Sequence, residues 1–549
     1  MKKNNFLEGA MIATIGIVMC KIIGVLYVIP FYKIIGNQGG TLYSYAYSIY
    51  SVFLTLSSTG IPLAISKMVS EYNTLEYYNT KERVYKIGRI IIVGIGFISF
   101  LVLIITAPMI SNLILGDMQG GNSKESVTMV IRIISSALLI VPLLSVTKGY
   151  LQGHKFITPS SISQVIEQIV RVIVIIVGSY SAIKIFDMGV DNAVGIAVFG
   201  ATIGAIVAYL YLVSRISKNK EKLNKNAETK EEELKITNKD LLKKIVLYAL
   251  PFIVIDLVKS AYALVDTMTV VRTLDSLGKS ASYAETTLGV ITTWGTKLNM
   301  IVISISLGMV VSLIPNIASS YVKKDMIDVN KKVNQSLQVL LLITLPMVVG
   351  ISFLAYPLWN VFYGYDILSI NIFKYFIFQA LFFSFFTVLI NLMQTLNNTK
   401  VTFIALLTSF IGKVILNIPF MHLCKYINIP LYLGPIMVTL ITQGMAIMYI
   451  IYILKRDYKI KLKETLKVFI KIIIATLIML LVLLLMKNFI NFENISRLIS
   501  ILYICIYALV GIIIYGLIMI KTKLLNQVLG DKFMNNILKK LHLKKYIKD

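Results

Sequence analysis

Two lysines stand where lysine is costly. Lys21 comes about twelve residues into the first apolar run, ~18 Å along a helix and so near the middle of ~30 Å of hydrocarbon. Lys297 reaches a similar depth in the eighth run, and neither has an acidic residue three or four positions away. Inserting each costs roughly 2.5–3.5 kcal/mol unless something anionic or watery meets it. The alternatives are snorkelling or an acid supplied by another helix. Glu167 and Arg171 are spaced i,i+4, and Asp256 and Lys259 i,i+3, which suits intrahelical ion pairs with structural roles. Arg272, near the outer end of the seventh run, can ring an exit vestibule or meet lipid phosphate, whereas Lys67 reads as snorkelling toward the cytoplasm. Asp256 with Asn417 and Thr442 offers the oxygen ligands that a hard cation wants, a candidate Na⁺ or H⁺ site, with pairing to Lys259 as the plain alternative. The membrane potential, about 2.3 kcal/mol per charge per 100 mV, is an equal candidate for the driving force.

Only membrane helices hold cations at that depth. Hydrophobic residues fill 57% of the 549 positions, charged residues 15%, and the mean hydropathy is +0.79, which excludes a water-facing surface. Runs such as 90–105, 194–213, 339–354 and 472–486 approach the ~20 apolar residues of a crossing, and they lack the alternation of strands. The sequence predicts an all-α polytopic membrane protein with about fourteen crossings, near 9–34, 42–71, 84–113, 126–153, 158–185, 191–217, 240–274, 284–318, 332–355, 367–395, 400–424, 430–454, 464–487 and 496–521. Lys81, Arg83, Lys86, Arg89, Lys148, Lys155, Lys323, Lys324 and the cations of 455–467 fall in loops on one side, which the positive-inside rule makes cytoplasmic together with both termini. The net charge of +27 is then loop lysine facing an anionic leaflet, about 1 kcal/mol per residue, with no nucleic acid implied. The 521–549 tail, apolar at helical spacing with lysines between, is expected along the inner membrane surface. Cys20, Cys424 and Cys505 read as small buried hydrophobes. The apolar start, interrupted by Lys21 and without a small-residue cleavage site, reads as a retained first span.

The chain also repeats itself. Gln152 and Arg171 recur 242 positions later as Gln394 and Lys413; Ile61, Pro62 and Ser66 recur as Ile314, Pro315 and Ser319, and Val84, Pro108 and Gly116 as Val333, Pro357 and Gly364. A polar connector separates the copies. The expected organisation is an N-lobe of six helices (1–217), a charged cytoplasmic linker (218–239), a pseudo-symmetric C-lobe of six (240–455), two further helices (456–522) and a basic amphipathic tail (523–549). A parallel duplication of this kind builds two bundles about a cavity that opens alternately to each side. Gly278-Lys279-Ser280 lacks the preceding glycine and strand of a phosphate-cradling loop, so no ATP engine is expected. The outer loops are too short to carry the catalytic groups of a sugar-transferring enzyme.

The opening Lys21-Ile22-Ile23-Gly24 and Lys33-Ile34-Ile35-Gly36, the second span from Tyr47-Ser48-Ile49-Tyr50 through Gly60-Ile61-Pro62-Leu63-Ala64-Ile65-Ser66-Lys67, and the stretch Gly149 to His154 with Pro159, Gln164, Glu167 and Arg171 together resemble the multidrug/oligosaccharidyl-lipid/polysaccharide (MOP) exporter superfamily, and within it the stage V sporulation protein B and MurJ-like flippases. Asp266-Thr267 and Ser312-Leu313-Ile314-Pro315 extend the resemblance into the second half. It implies a V-shaped fold and passage of an undecaprenyl-diphosphate-linked oligosaccharide, with the lipid II peptidoglycan precursor favoured, from the inner to the outer leaflet of a bacterial plasma membrane, alongside cell-wall synthases and without a cofactor. A diphosphate presents many acceptor oxygens, so the resemblance implies substrate binding by Lys21, Lys297, Arg272 and Lys67, and a groove for the lipid tail at spans thirteen and fourteen. The chain departs from the pattern where Tyr27 or Val28 stands in place of a frequent arginine, and in lacking a proline near Met300. An exporter of another lipid-linked polysaccharide unit shares the diphosphate and stays open; a MATE-type drug or cation antiporter would need acidic residues to attract its cargo.

Overall fold

The computed structural model describes residues 6–116, 121–219, 223, 236–396, 398–488 and 495–529, so most of the 218–239 linker and of the 523–549 tail lies outside the described residues. Regular structure among the described residues is entirely helical. In chain order the helices are α1 (Phe6–Leu26), α2 (Val28–Ser58), α3 (Gly60–Thr74), α4 (Tyr78–Leu115), α5 (Lys124–Ser135), α6 (Ala137–Gly153), α7 (Ile157–Ile173), α8 (Ser179–Lys184), α9 (Val190–Ser217), α10 (Asn238–Ser276), α11 (Ala281–Gly289), α12 (Gly295–Val322), α13 (Met326–Phe353), α14 (Ala355–Tyr363), α15 (Ile367–Phe376), α16 (Phe378–Thr395), α17 (Thr399–Tyr426), α18 (Leu433–Arg456), α19 (Lys463–Lys487), α20 (Arg497–Lys521) and α21 (Leu524–Leu529). Twelve helical stretches among the described residues are long and apolar enough to cross a membrane, and the other two expected crossings fall on α1 and on the 39-residue α10.

Many crossings are jointed. Gly36, at φ +66°, kinks α2, a backbone region closed to most side chains. π-helical turns at Val174–Gly178 and Val290–Trp294 link α7 to α8 and α11 to α12. Starts are set by local chemistry: Ser123, Thr237, Ser280 and Ser496 each accept a backbone N–H from the first turn of α5, α10, α11 and α20.

The helices gather into two compact units, one of residues 1–297 and 410–435, the other of 298–409 and 436–549. Residues 240–297 and 410–435, expected in the second lobe, thus have their contacts in the first unit. There α10 lies along α2, α3 and α4. Gly60 admits it, because a side chain at that position would run into the Ala249 carbonyl. The same device joins two of the motifs read from the sequence: Gly149 and Gly153, one turn apart on α6, face the carbonyls of Pro62 and Ser66 on α3, so the backbones approach as in small-xxx-small helix pairs. In the second unit α19 packs on α13 through Val468, Ile472 and Ala475 against Leu341 and Leu342, while Tyr507 of α20 joins Met479, Leu483 and Leu354. The remaining face of α20 exposes Leu498, Leu502, Leu509 and Ile512, as a helix bordering lipid does. The repeat is visible in backbone form: Gly116 and Gly364 end α4 and α14 at φ +59° and +89°, their N–H groups bonded to the Asn112 and Asn360 carbonyls at 2.9 and 3.1 Å.

Candidate functional site

α1 carries Lys21, and α12 carries Lys297 just after the π turn. Both side chains are half-buried in the first unit and lie close enough to repel one another. The Lys297 ammonium sits 5.5 Å from the centre of the Tyr27 ring. Tyr27 is the position at which the resemblance anticipates arginine; here its ring face turns toward a cation carried by another helix.

α1 packs along α7, which brings a second charged group alongside. The Cys20 thiol contacts the Gln164 carbonyl at 3.5 Å and lies within electrostatic reach of Lys21, Lys148, Glu167 and Arg171. Glu167 and Arg171 form their i,i+4 pair at 2.5 Å. Sequence reasoning missed the third member: Lys148, assigned to a loop, is inside α6, and its Nζ donates to the other Glu167 oxygen at 2.9 Å. Gly149 and Gly153 let this stretch of α6 pack closely on α3, and from it Lys148 reaches Glu167 of α7. Lys148 and Arg171 thus share the Glu167 carboxylate, while Lys21, next to Cys20 on α1, lies near them and also faces Lys297. Tyr43, Tyr47 and Tyr50, at i, i+4 and i+7 on α2, align with ring centres 4.4 and 5.9 Å apart and also lie within electrostatic reach of Arg171. That spacing was readable in the sequence; its direction was not.

Lys67 is exposed with its ammonium 4.1 Å over the Tyr248 ring, so a cation–π contact to α10 takes the place of simple snorkelling. Arg272 is exposed and lies against Gly116, its Nε 3.6 Å from where a Cβ would stand. The expected grouping of Asn417 with Asp256 needs correction. Asn417 is fully buried, and its amide donates to Asp266 Oδ1 at 3.1 Å and to Thr269 Oγ1 at 2.7 Å. Asp266 also pairs with the fully buried Lys413 at 2.7 Å, and Lys413 donates to the Pro435 carbonyl at 3.0 Å. The Lys413 ammonium meets the Asp266 carboxylate that Asn417 bonds, the Asn417 carbonyl oxygen is buried without a hydrogen-bond partner among the described residues, and Asp256 stands ten residues before Asp266 on α10, ~15 Å along the helix. Thr442 is buried in the second unit, where its hydroxyl donates to the Val438 carbonyl. The Lys259 side chain lies outside the described residues. Lys413 is the repeat counterpart of Arg171, but Ser409 stands where Glu167 would recur, so the acid comes from another helix.

The description "Polysaccharide biosynthesis protein" matches residues 6–320, more than half of the chain. The "Lipid II flippase MurJ" of Bacillus subtilis (strain 168) is 30% identical over 538 residues, 96% of this chain and 97% of that protein. The chain belongs to the polysaccharide biosynthesis protein family. As a member of that family it is a multi-pass membrane protein with the MOP exporter fold. The solved "Lipid II flippase MurJ, inward closed conformation" superposes with a TM-score of 0.67 at 18% identity, covering 94% of this chain and 99% of that one. An inward-facing multidrug resistance MATE family transporter of the MOP superfamily gives 0.59 at 13% identity, covering 81% and 99%. This polysaccharide biosynthesis protein thus shares its fold with both branches, and its cation-rich residue set bears on the choice between them.

Proposed function

We propose that the protein is a flippase carrying a polyprenyl-diphosphate-linked saccharide, the lipid II peptidoglycan precursor in particular, from the inner to the outer leaflet, without making or breaking covalent bonds. One observation carries the reading: Lys21 and Lys297, carried by different helices, lie within repelling distance of one another, while Glu167 near Lys21 is already paired with Lys148 and Arg171. Ammonium groups shielded from water bind phosphate oxygens through short charge-assisted hydrogen bonds, and the diphosphate in turn relieves their mutual repulsion. The name of the Bacillus subtilis relative supports lipid II as cargo. In this reading Lys21 and Lys297 hold the diphosphate, Arg272 and Lys67 meet it along its route, and the site is exposed alternately to each leaflet. Both termini lie in the cytoplasm in this reading, an orientation that the distribution of loop lysines supports, and cell-wall synthases use the delivered cargo. The membrane potential acting on the charged site, or Na⁺ or H⁺ coupling through Asp256, drives the cycle. A drug or cation antiporter is disfavoured, since cations outnumber acids at the site.

The test is mass spectrometry of lipids that copurify with the wild-type chain and with Lys21→Ala. A polyprenyl-diphosphate saccharide retained by the wild type and lost from the variant is expected. An identical lipid profile in both removes the cationic site from substrate binding, and a different glycan on the same diphosphate redirects the cargo to another polysaccharide.

A further inference from the structure

The first turns of α4 form a cleft of about 380 Å³ lined by Asn79, Glu82, Arg83, Tyr85, Lys86 and Arg89. Its cations are arranged for a ligand. The Arg83 guanidinium is fixed by the Asn238 side chain, at 3.1 Å from Nε and 2.7 Å from Nη2, and by the Ile236 carbonyl at 2.9 Å. Arg89 is exposed and steadied by the Tyr209 hydroxyl of α9 at 3.2 Å. Lys86 is exposed and has no ion-pair or hydrogen-bond partner among the described residues. Glu82, the acid of the lining, is already engaged: it accepts the Tyr150 hydroxyl at 2.6 Å and lies 3.8 Å from Lys81. Three cations therefore line the cleft beside one carboxylate, an oxygen of which is taken by the Tyr150 hydroxyl.

The same helix then turns apolar. Ile90, Val93, Phe97 and Leu101 follow at helical spacing, 65%, 42%, 51% and 39% exposed, so an open hydrocarbon track begins within one turn of the cations. A free phosphate or a peptide would have no use for that track, whereas a lipid has both parts. We propose that this cleft binds an anionic glycerophospholipid, its phosphodiester against Arg83, Lys86 and Arg89 and its acyl chains along Ile90 to Leu101. The site is additional to the Lys21–Lys297 region and does not depend on which lipid-linked saccharide is carried.

The experiment is native mass spectrometry of the full chain in detergent, titrated with phosphatidylglycerol. Lys86→Gln/Arg89→Gln is expected to weaken binding about thirtyfold, the factor supplied by two cations near anionic lipid. The control Lys323→Gln/Lys463→Gln, with the same charge change at exposed lysines elsewhere, is expected to alter it less than twofold. Short-chain phosphatidylglycerol binds more weakly than the long-chain lipid, and inorganic phosphate does not displace it. Equal binding to wild type and Lys86→Gln/Arg89→Gln, or equal loss in the control, overturns the proposal. Displacement by inorganic phosphate makes the cleft an ion site, and displacement by polyprenyl diphosphate makes it part of the cargo route; either outcome also refutes it.

Discussion

Lys21→Ala and Lys297→Ala, made singly, are each expected to reduce flipping of fluorescent lipid II in proteoliposomes at least tenfold at unchanged protein yield, since a hydrogen bond to a charged group is worth about 1.5–3 kcal/mol. The arginine variants should retain part of the flux because the charge persists; a double alanine variant with full activity ends the cationic-site argument. Lys413 makes a different prediction. Its ammonium is fully buried against Asp266, so Lys413→Met or Asp266→Asn alone strands a charge and should cost about 3–5 kcal/mol, read as a fall in thermal unfolding temperature in detergent, while the double variant recovers much of the loss. Near-additive losses in that cycle would mean the pair is not coupled. At this scale the sequence revealed which cations were out of place. It did not reveal their partners: Lys148 meets Glu167 from α6 and Asp266 meets Lys413 from α10, contacts that no i,i+4 rule anticipates.

Helices approach closely where glycine permits it. Gly149→Val would drive a side chain into the Pro62 carbonyl, an atom that cannot move without the helix, so the yield of monodisperse protein should collapse. Wild-type yield and elution would show that α6 and α3 are not locked at that point. Gly364→Ala is milder: the residue keeps a left-handed conformation that a Cβ penalises by roughly 1 kcal/mol, so a lowering of a few degrees in unfolding temperature is expected, with a similar effect at Gly116. The paired glycines were legible as repeat anchors, and the structure supplies their reason, a C-cap on an asparagine carbonyl in each half. The helix joints were less legible. Neither π turn carries a proline, and the glycines at their borders, Gly178, Gly289 and Gly295, do not by themselves distinguish a π turn from regular helix.

For the whole molecule, the proposed orientation predicts that a cysteine replacing Lys323 is labelled by a membrane-impermeant maleimide only in inside-out vesicles; labelling in right-side-out cells would reverse the topology and the direction of transport. Amino-acid composition and hydrophobic run length by themselves determined that this chain lives in a membrane as about fourteen helices, because hydrocarbon leaves an unpaired backbone so few ways to cross. The internal repeat and the misplaced lysines likewise determined that a duplicated transporter with a cationic site was to be expected. Which helices share a unit was decided by tertiary structure alone: residues 240–297 and 410–435 pack with the first 217 because Gly60 opens α3 to α10 and Asp266 reaches Lys413. Periodicity specifies which face of a helix is apolar or small, but the facing partner is chosen by shape and charge contributed from hundreds of residues away.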